Sequence, residues 1–422
     1  MNLRIAGIEA MEILDSRGQP TVQATVTVSD GTRATSSVPS GASTGANEAM
    51  ELRDGDPKRY SGRGVTRAVS NIEDVISPLL RGRDVTDQLQ IDRFLIDLDG
   101  TPDKSRLGAN AMLAVSQACI RAAALCCRQS LYACLGSGVD ATRLPVPMVN
   151  VINGGKHADS SLDVQEFMIV PIGAPSFAES IRYAAETFHA LRRRLSARGY
   201  GIAVGDEGGF APLLRSNEEA CDIILEAIEH AGYRPGEDIA LALDVAATSL
   251  HENGHYQLAR TEYGRKSSAD LAALYRQWIA KYPIVSIEDP LAETDWDGFR
   301  ALTAAVGDRV QIVGDDILVT NTRFIRRAIE EKTCNAALIK LNQIGTVTET
   351  VSAVDLCRRA GWEVIVSHRS GETDDSFLAD FAVGMGAGRM KAGSACRGER
   401  VAKYNRLLAI ERELGTRARF TR

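Results

Sequence analysis

Six ionisable side chains follow short apolar runs in the second half of the chain. The runs are typical of buried strands, and they end, in chain order, at Asp244, Glu288, Asp315, Lys340, His368 and Lys391. These residues recur at intervals of 23 to 44 residues, and a strand with its crossover helix needs about 25 to 30. Because parallel strands that close into a barrel bring their carboxyl ends to one mouth, the spacing predicts a single rim of carboxylates and amines.

Three of these residues are carboxylates, namely Asp244, Glu288 and Asp315. Like charges at close range repel unless protons or a cation join them, and hard oxygen ligands with room for water suit Mg²⁺. No histidine or cysteine belongs to the triplet, which disfavours zinc. The alternative is that each is a solvated loop acid or a helix N-cap, but three in phase favour the metal.

Two lysines are predicted at the same rim. Lys340 lies between Ile339 and Leu341, and an unpaired buried lysine is costly, so its neighbours must either pair it or lower its pKa. Lys391 follows two strands later, and two converging ammonium groups lower each other's pKa. The pattern favours one neutral amine as a base and one cation as an anion ligand. The alternative is that each lysine pairs with a metal-site carboxylate.

A possible acid pair lies outside this rhythm. Glu207 stands among glycines in GDEGGFAP (205–212), where a ligand can approach closely, and Glu166 is flanked by apolar residues. Two carboxylates that share a cavity can split their pKa values, so that one stays protonated as a general acid. His157, in the glycine-hinged loop NGGKHADS, is either a site residue or a surface histidine.

Arg369 and Ser370 come directly after His368, at a glycine turn. A guanidinium fork beside a hydroxyl and backbone N–H groups is a seat for a phosphate or a carboxylate. Beside a metal and an amine base, this seat implies a small phosphorylated carboxylate as substrate. The reaction class is proton abstraction next to a carboxylate, because the enolate that forms needs the charge of a metal.

The elements before residue 138 differ from this βα rhythm. TVQATVTV alternates apolar and polar residues, and Asp30-Gly31 predicts a hairpin turn, so a small β-meander is expected. The loop VPSGASTGANEA follows, and an apolar helix that starts at Asn110 is expected between other elements. Gly136-Ser137-Gly138 and a proline-rich segment predict a boundary, with an α+β domain over 1–137 and a (β/α)8 barrel over 138–422.

The composition excludes several functions. The 422 residues are 44% hydrophobic and 25% charged, with a net charge of -6 and no basic cluster, so no nucleic-acid or membrane partner is expected. No signal peptide or membrane-spanning stretch is apparent, so we expect a cytoplasmic protein. The eight cysteines form no C-x-x-C pair and are expected to be reduced core residues.

Ten motifs in this order resemble those of the enolase family, the phosphopyruvate hydratases of glycolysis. They are VPSGASTG, ELRDGD, NVINGGKHAD, QEFMIVP, GDEGGFAP, SIEDP, GDD, LIKLNQIGT, SHRSGET and AKYNRLL. The resemblance covers nearly the whole chain, and the HAD sequence after the lysine of the histidine loop is similar to bacterial members. It implies an α+β capping domain before the barrel, two Mg²⁺ per active site, and a homodimer or an octamer.

The resemblance also implies roles for the site residues. Asp244, Glu288 and Asp315 would hold one Mg²⁺, and Ser40 would help to bind the second. Lys340 would remove the C2 proton of 2-phosphoglycerate, and Glu207, assisted by Glu166, would protonate the departing C3 hydroxyl. Lys391 would hold the substrate carboxylate, Arg369 and Ser370 its phosphate, and His157 and His368 would line the site.

Six positions depart from the family's usual pattern, namely Gln19, Gln23, Leu213, Ser249, Ala392 and Gly398. Four of them lie within a few residues of a predicted catalytic position, so they bear on the substrate more than on the reaction class. Two alternatives to a glycolytic enzyme follow. One is a specialised paralogue that forms a modified phosphoenolpyruvate, as in phosphonate natural-product synthesis; the other is a non-catalytic scaffold, which the intact site residues disfavour.

Overall fold

The computed structural model describes residues 3–42, 45–136, 140–158, 161–261 and 263–420. It contains a three-stranded sheet with helices at the N-terminal end and a closed barrel of eight strands after it. Both parts agree with the fold expected from the sequence. The predicted boundary between residues 137 and 138 lies outside the described residues.

The N-terminal sheet is the predicted meander, formed by β1 (Ile5–Leu14), β2 (Pro20–Val28) and β3 (Arg33–Ser37). All neighbours in it are antiparallel. Every second residue of β2 from Val22 to Val28 is buried, as the alternation predicts. Gly31 has a φ of +89° at the turn before β3, and this left-handed conformation suits glycine.

Five helices lie between this sheet and the barrel in the described part of the chain. They are α1 (Thr66–Ser70), α2 (Ser77–Leu80), α3 (Gln88–Asp99), α4 (Ala109–Cys126) and α5 (Leu131–Leu135). Helix α4 packs against β2 and β3 and reaches the turn that follows Lys340. By length and composition this helix could cross a membrane, whereas the sequence analysis expected no membrane-spanning stretch. However, 83% of it is buried inside the protein. It is therefore built as a core helix, as its composition predicted.

Eight strands form the barrel, in chain order β4 (Val146–Asn153), β5 (Glu166–Val170), β6 (Ala240–Asp244), β10 (Ile284–Glu288), β11 (Gln311–Gly314), β12 (Ala336–Ile339), β13 (Glu363–Ser367) and β14 (Arg389–Lys391). A separate small sheet contains β7 (His251–Glu252), β8 (His255–Leu258) and β9 (Gly264–Lys266). Apolar side chains that include Met148, Met168 and Leu338 form a buried cluster of their own among the barrel strands.

The helices of the barrel domain are α6 (Phe177–Ala197), α7 (Asn217–His230), α8 (Ser268–Lys281), α9 (Trp296–Val306), α10 (Thr322–Glu331), α11 (Val347–Arg359), α12 (Phe377–Gly384) and α13 (Gly398–Leu414). Each of the helices α6, α7, α8, α9, α10 and α11 is preceded by a short polar side chain that accepts a hydrogen bond from a backbone N–H group in the first turn of the helix. In chain order these residues are Ser176, Ser216, Ser267, Asp295, Asn321 and Thr346. Such caps satisfy backbone N–H groups that have no partner within the helix, so they fix where each helix begins.

The barrel departs from a regular βα repeat at its start. Between β4 and β5 the described residues contain only a short helical turn (Gly155–His157), whereas α6 and α7 follow each other between β5 and β6. Strand β5 is antiparallel to both neighbours, so its first residue, Glu166, pairs in register with Asp244, the last residue of β6. The reversal brings Glu166 to the same mouth as the carboxyl ends of the parallel strands.

The strand-end prediction is confirmed for all six ionisable residues. Each of them is the last residue of its strand or the residue directly after it: Asp244, Glu288, Asp315, Lys340, His368 and Lys391. Register places Glu288 beside Asp244. The cysteine prediction is only half right: all eight are free, and four are buried, but Cys126, Cys134 and Cys396 are partly exposed and Cys127 is exposed.

The two parts of the chain are joined by an ionic contact at Asp375. Its carboxylate accepts hydrogen bonds from the guanidinium of Arg121 on α4, from Ser36 Oγ at 3.0 Å and from Ser37 N at 2.8 Å, both on β3. It also accepts from Phe377 N at the start of α12. One carboxylate therefore binds the N-terminal sheet and α4 to the barrel.

Replacing Asp375 by alanine should lower the free energy of unfolding by about 2 to 4 kcal/mol, because a largely buried Arg121 loses its partner. Urea-induced unfolding followed by circular dichroism would measure the change. Asp355→Ala is the control, since the exposed Asp355–Arg358 pair on α11 should contribute less than about 1 kcal/mol. Equal losses in the two variants would contradict the role given to Asp375.

Candidate active site

Ten of the twelve predicted site residues line one cavity at the mouth of the barrel, and the other two, Glu288 and Ser40, do not. The residues that line it are His157, Gln165, Glu166, Glu207, Asp244, Ala246, Asp289, Asp315, Asp316, Lys340, Ser367, His368, Arg369, Ser370 and Lys391. A wider open groove beside β3 and α4 contains none of the predicted site residues. The mouth of the barrel is therefore the candidate active site.

Lys391 lies at the centre of the carboxylates. Its Nζ is 2.8 Å from Glu288 Oε2, 3.2 Å from Glu166 Oε2 and 3.5 Å from Asp244 Oδ2, and its side chain is 3% exposed. Burial opposes the charge of Lys391, but the three carboxylates outweigh it and hold its pKa well above the ordinary value. Lys391 is therefore a fixed cation.

Lys340 is also held as a cation in this structure. Its Nζ lies 2.5 Å from Asp315 Oδ2. Burial lowers the pKa of Lys340, yet the attraction of Asp315 is stronger and the net shift is upward. The expectation that the lysines would leave one amine neutral is wrong for this arrangement, because their carboxylate partners outweigh the repulsion between the two ammonium groups.

Glu207 and Glu166 share one side of the cavity with His157. The Nδ1 atom of His157 lies 3.5 Å from Glu166 Oε1 and 3.5 Å from Glu207 Oε1. Glu207 Oε1 also accepts from Ser370 Oγ at 3.3 Å, and Asn150 donates to Glu207 Oε2 at 3.1 Å. His157 is buried, so the surface-histidine alternative is wrong.

The pKa values of the two glutamates move in opposite directions. Burial raises the pKa of Glu166 well above the ordinary value, and repulsion from Glu207 adds to this effect. Burial acts on Glu207 in the same sense, but the imidazoles of His157 and His368 oppose it, and the pKa of Glu207 falls well below the ordinary value. These opposite directions favour Glu166 over Glu207 as the protonated member of the pair.

Arg369 reaches across to the N-terminal domain. Its NH1 and NH2 atoms donate to the two carboxylate oxygens of Glu48 at 2.9 and 3.2 Å, and NH1 also donates to Asn342 Oδ1 at 3.1 Å. Glu48 raises the pKa of Arg369 against the effect of burial. The guanidinium proposed to bind an anion thus already binds a carboxylate of this chain.

Ser40 lies at the junction of the two domains. Its backbone forms a bridge with Gly371, just after Arg369 and Ser370, the residues predicted to bind an anion. Its hydroxyl donates to Asp15 Oδ2 at 2.8 Å and accepts from Arg17 NH2 at 2.8 Å. Ser40 therefore lies at the rim of the site, with its oxygen engaged by Asp15 and Arg17.

The metal ligands predicted from the sequence form a looser set than expected. In the described ranges, three potential ligand atoms lie within 4.8 Å of one another in two groups, His157–Glu166–Glu207 and Asp289–Asp315–Asp316. Asp244, Glu288 and Asp315 are not such a group; Lys391 contacts the first two, and Lys340 contacts the third. Burial raises the pKa of Glu288 well above the ordinary value, and repulsion from Asp244 and Asp315 adds to this effect.

Several residues of the site were not found from the sequence. Asp289 accepts from the backbone N–H groups of Asp315 and Asp316, both at 2.9 Å, so it fixes the turn after β11. Its backbone φ of +39° is unusual for a residue with a side chain. Its position directly after Glu288 could have identified Asp289 as a residue of the site. Glu48 gave no comparable signal, because its partner Arg369 is 321 residues away.

Barrel enzymes carry their catalytic residues at the carboxyl ends of the strands, and lysines paired with buried carboxylates at this mouth suit an enzyme that abstracts a proton beside a carboxylate. A family model described as the enolase N-terminal domain matches residues 5–135, and one described as the enolase C-terminal TIM barrel domain matches residues 141–422. The chain belongs to the enolase family.

Curated relatives agree over the full length. The chain is 65% identical over 422 residues to "Enolase 1" of Methylococcus capsulatus, covering 100% of both chains. It is 61% identical over 416 residues to "Enolase" of Desulfotalea psychrophila, covering 98% of each.

The departures from the family pattern differ in their relation to the cavity. Leu213 is 68% exposed and does not line the cavity. Having leucine here instead of the family's usual residue therefore removes no contact beside Glu207. Ala392 is fully buried next to Lys391. Gln23 donates to Ser37 Oγ at 2.9 Å within the N-terminal sheet. Nothing in the structure explains Ser249.

His368 should make stability depend on pH in a defined window. Burial lowers its pKa from 6.5 to about 4, with Glu207 opposing the shift. Between these values the unfolded chain binds a proton that folded His368 does not, so stability falls as the pH falls, by about 1.4 kcal/mol per unit. Between pH 7 and pH 5 the wild type should lose about 2 kcal/mol more than His368→Asn, as measured by urea unfolding.

The matched control for this measurement is His230→Asn, at an exposed histidine near the end of α7. This variant should lose as much stability as the wild type over the same pH range. A His368→Asn protein with the wild-type pH dependence would show that His368 is not held neutral.

Proposed function

We propose that this protein is a phosphopyruvate hydratase, a lyase that dehydrates 2-phosphoglycerate to phosphoenolpyruvate. The observation that carries the proposal is the single buried cavity in which Lys340, Lys391, the Glu166–Glu207 pair and Arg369 meet. Membership of the enolase family and the names of relatives aligned over the full length support the same reaction.

We infer that the cofactor is Mg²⁺, with two ions per active site. The donor set fits, since hard oxygens dominate it and Glu288 Oε1 is buried without a hydrogen-bond partner. Asp244, Glu288 and Asp315 would hold one ion and Ser40 would help to bind the other. Bound Mg²⁺ would supply the positive charge that a dianionic enolate requires.

Lys340 is the proposed base for the C2 proton. Its amine can accept a proton only after it has lost one, and Asp315 now holds that proton on the amine. Engagement of Asp315 by another cation would weaken this hold, so the carboxylate that binds the cation also controls the base. Lys391, fixed among three carboxylates, is proposed to bind the carboxylate of the substrate.

Glu207 is the proposed acid for the C3 hydroxyl, and Glu166 is proposed to store the proton that Glu207 delivers. The opposite pKa shifts of the two residues support this division. His157 and His368 line the space around Glu207. The proton would leave Glu207 with the hydroxyl as water, which returns Glu207 to its ionised form.

Arg369 and Ser370 are proposed to bind the phosphate. The guanidinium already donates to both carboxylate oxygens of Glu48, and this contact supports its proposed role as an anion ligand. The phosphate would then share or replace that contact. The contact between Arg369 and Glu48 thus joins the two domains, and binding of the substrate phosphate would change this contact.

The alternatives are less well supported. The paralogue that acts on a modified phosphoenolpyruvate is not favoured by 65% identity to a protein named enolase, and Leu213 lies outside the cavity. A scaffold without activity has no need of these buried charges. By family resemblance we infer a cytoplasmic homodimer or octamer, which size-exclusion chromatography with light scattering would test.

Activity should depend on metal. The purified protein should convert 2-phosphoglycerate to phosphoenolpyruvate, followed by the absorbance of the product, and excess chelator should abolish the conversion because the enolate charge is no longer balanced. Asp315→Asn should raise the Mg²⁺ concentration needed for half activity by roughly tenfold or more. Asp308→Asn, at an exposed acid before β11, is the control. Full activity in chelator would reject the metal assignment.

Lys340 and Glu207 should fail at different steps. Lys340→Ala should stop exchange of the C2 proton with solvent, whereas Glu207→Gln should keep exchange and block dehydration, since each residue serves one half of the elimination. Deuterium uptake by 2-phosphoglycerate, followed by NMR, measures the first step and product formation the second. Lys58→Ala, at an exposed lysine, is the control. Wild-type exchange in both variants would show that the roles are wrongly assigned.

A further inference from the structure

Arg400, on the first turn of α13, is fully buried and does not line the cavity. It is among the largest fully buried side chains in the described part of the chain. Its guanidinium donates to three backbone carbonyls: NH1 to Arg369 O at 2.7 Å, NH2 to Ser370 O at 2.5 Å and NH2 to Asp206 O at 3.1 Å. One side chain thus joins the turn of the proposed phosphate site to the loop of the proposed acid.

The decisive contact of Arg400 is with an imidazole. Its NH1 lies 2.5 Å from Nδ1 of His368. A guanidinium has five donors and no acceptor, so Nδ1 has to accept this hydrogen bond and carries no proton. The single proton of a neutral His368 is then on Nε2, which lies 3.5 Å from Glu207 Oε2. Burial supports the neutral ring, since it lowers the pKa of His368 to about 4.

The tautomer divides the two oxygens of Glu207 between different tasks. Oε2 faces two donors, Nε2–H of His368 and the amide of Asn150 at 3.1 Å. Oε1 faces Ser370 Oγ at 3.3 Å and His157 Nδ1 at 3.5 Å. The two groups at Oε2 can only donate, whereas the hydroxyl of Ser370, which also lies 3.2 Å from His157 Nε2, can accept as well as donate. Oε1 is therefore the oxygen that is able to carry a proton and release it.

The backbone around Arg400 is shaped to admit it. Gly393 has a φ of +85°, and a Cβ atom there would lie 2.7 Å from Arg400 Cδ and 2.7 Å from the carbonyl oxygen of Glu207. Gly393 O accepts from Tyr404 on α13 at 2.7 Å, which holds this stretch in place. The glycine therefore allows the side chain of Arg400 to pass between α13 and the loop of Glu207.

We propose that Arg400 is a positioning residue for the acid step: it fixes His368 as the Nε2–H tautomer, and His368 in turn reserves Glu207 Oε1 for proton delivery. The inference rests on the proposed function. In the step itself, the electron pair of the enolate forms the C2–C3 double bond as the C3–O bond breaks, and the proton passes from Glu207 Oε1 to the departing hydroxyl. Phosphoenolpyruvate, water and the carboxylate of Glu207 remain. Arg400 touches none of the reacting atoms.

The tautomer can be tested without any activity measurement. Two-bond proton–nitrogen NMR spectra of protein labelled with nitrogen-15 histidine separate the two neutral tautomers and the charged ring, and His368→Asn assigns the signal. We expect the Nε2–H tautomer of a neutral ring at pH 7. A proton on Nδ1, or a doubly protonated ring, would overturn the proposal even if the enzyme is active.

Kinetics of Arg400→Lys test the effect on the acid step. Dehydration should slow by about 10- to 100-fold in kcat, with a smaller change in KM, because a hydrogen bond to an ordered group is lost. Exchange of the C2 proton should persist. The matched control is Arg406→Lys, which changes another arginine of α13, one that pairs with Asp380 on α12. A kcat within about twofold of wild type in folded Arg400→Lys would overturn the proposal.

A double variant separates positioning from a general structural role. If Arg400 acts through His368, Arg400→Lys combined with His368→Asn should be no slower than His368→Asn alone, whereas independent effects multiply. Multiplied effects would overturn the proposal. Failure of the wild type to dehydrate 2-phosphoglycerate would instead reject the proposed function, and the NMR result would still decide the tautomer. If Arg400→Lys does not fold, the NMR spectrum of the wild type still tests whether His368 carries its proton on Nε2.

Discussion

Repulsion between buried carboxylates is the constraint on which the rest of the active site depends. Six of the acids around the cavity are buried: Glu166, Glu207, Asp244, Glu288, Asp289 and Asp315. So many negative charges at low dielectric would be very costly without compensation. The chain balances them by several means, which include ammonium groups at Lys340 and Lys391, a raised pKa at Glu166 that favours its neutral form, and backbone N–H groups at Asp289.

This balance links binding to catalysis. Each charge that compensates a carboxylate in the free protein occupies a place that a cation or a substrate group could take. Lys340 shields Asp315, and Glu48 fills the fork of Arg369. Lys340 and Arg369 are therefore held in ion pairs that a ligand could replace, which limits the cost of burying these charges before any ligand binds.

The sequence predicted much of this arrangement because barrel strands follow a simple rule. A charged residue at the end of an apolar run must lie at the mouth, and this rule found Asp244, Glu288 and Lys340 within one residue of their strand ends. It could not find the antiparallel direction of β5, because periodicity does not encode direction. Nor could it give the charge of Lys340, which depends on a distance to Asp315 that only the fold determines.

The position of Lys391 has a consequence for the order of folding. Lys391 ends the last strand of the barrel, β14, and that strand closes the barrel against β4, which begins at Val146. The carboxylates that surround Lys391 all come earlier in the chain, so during synthesis they emerge well before their counterion. Until β14 has formed, burial of these carboxylates without their counterion would be costly, so they stay hydrated and water remains in the mouth of the barrel. Desolvation of the active site is thus deferred to the final long-range closure, which is the slowest kind of contact for a chain to form.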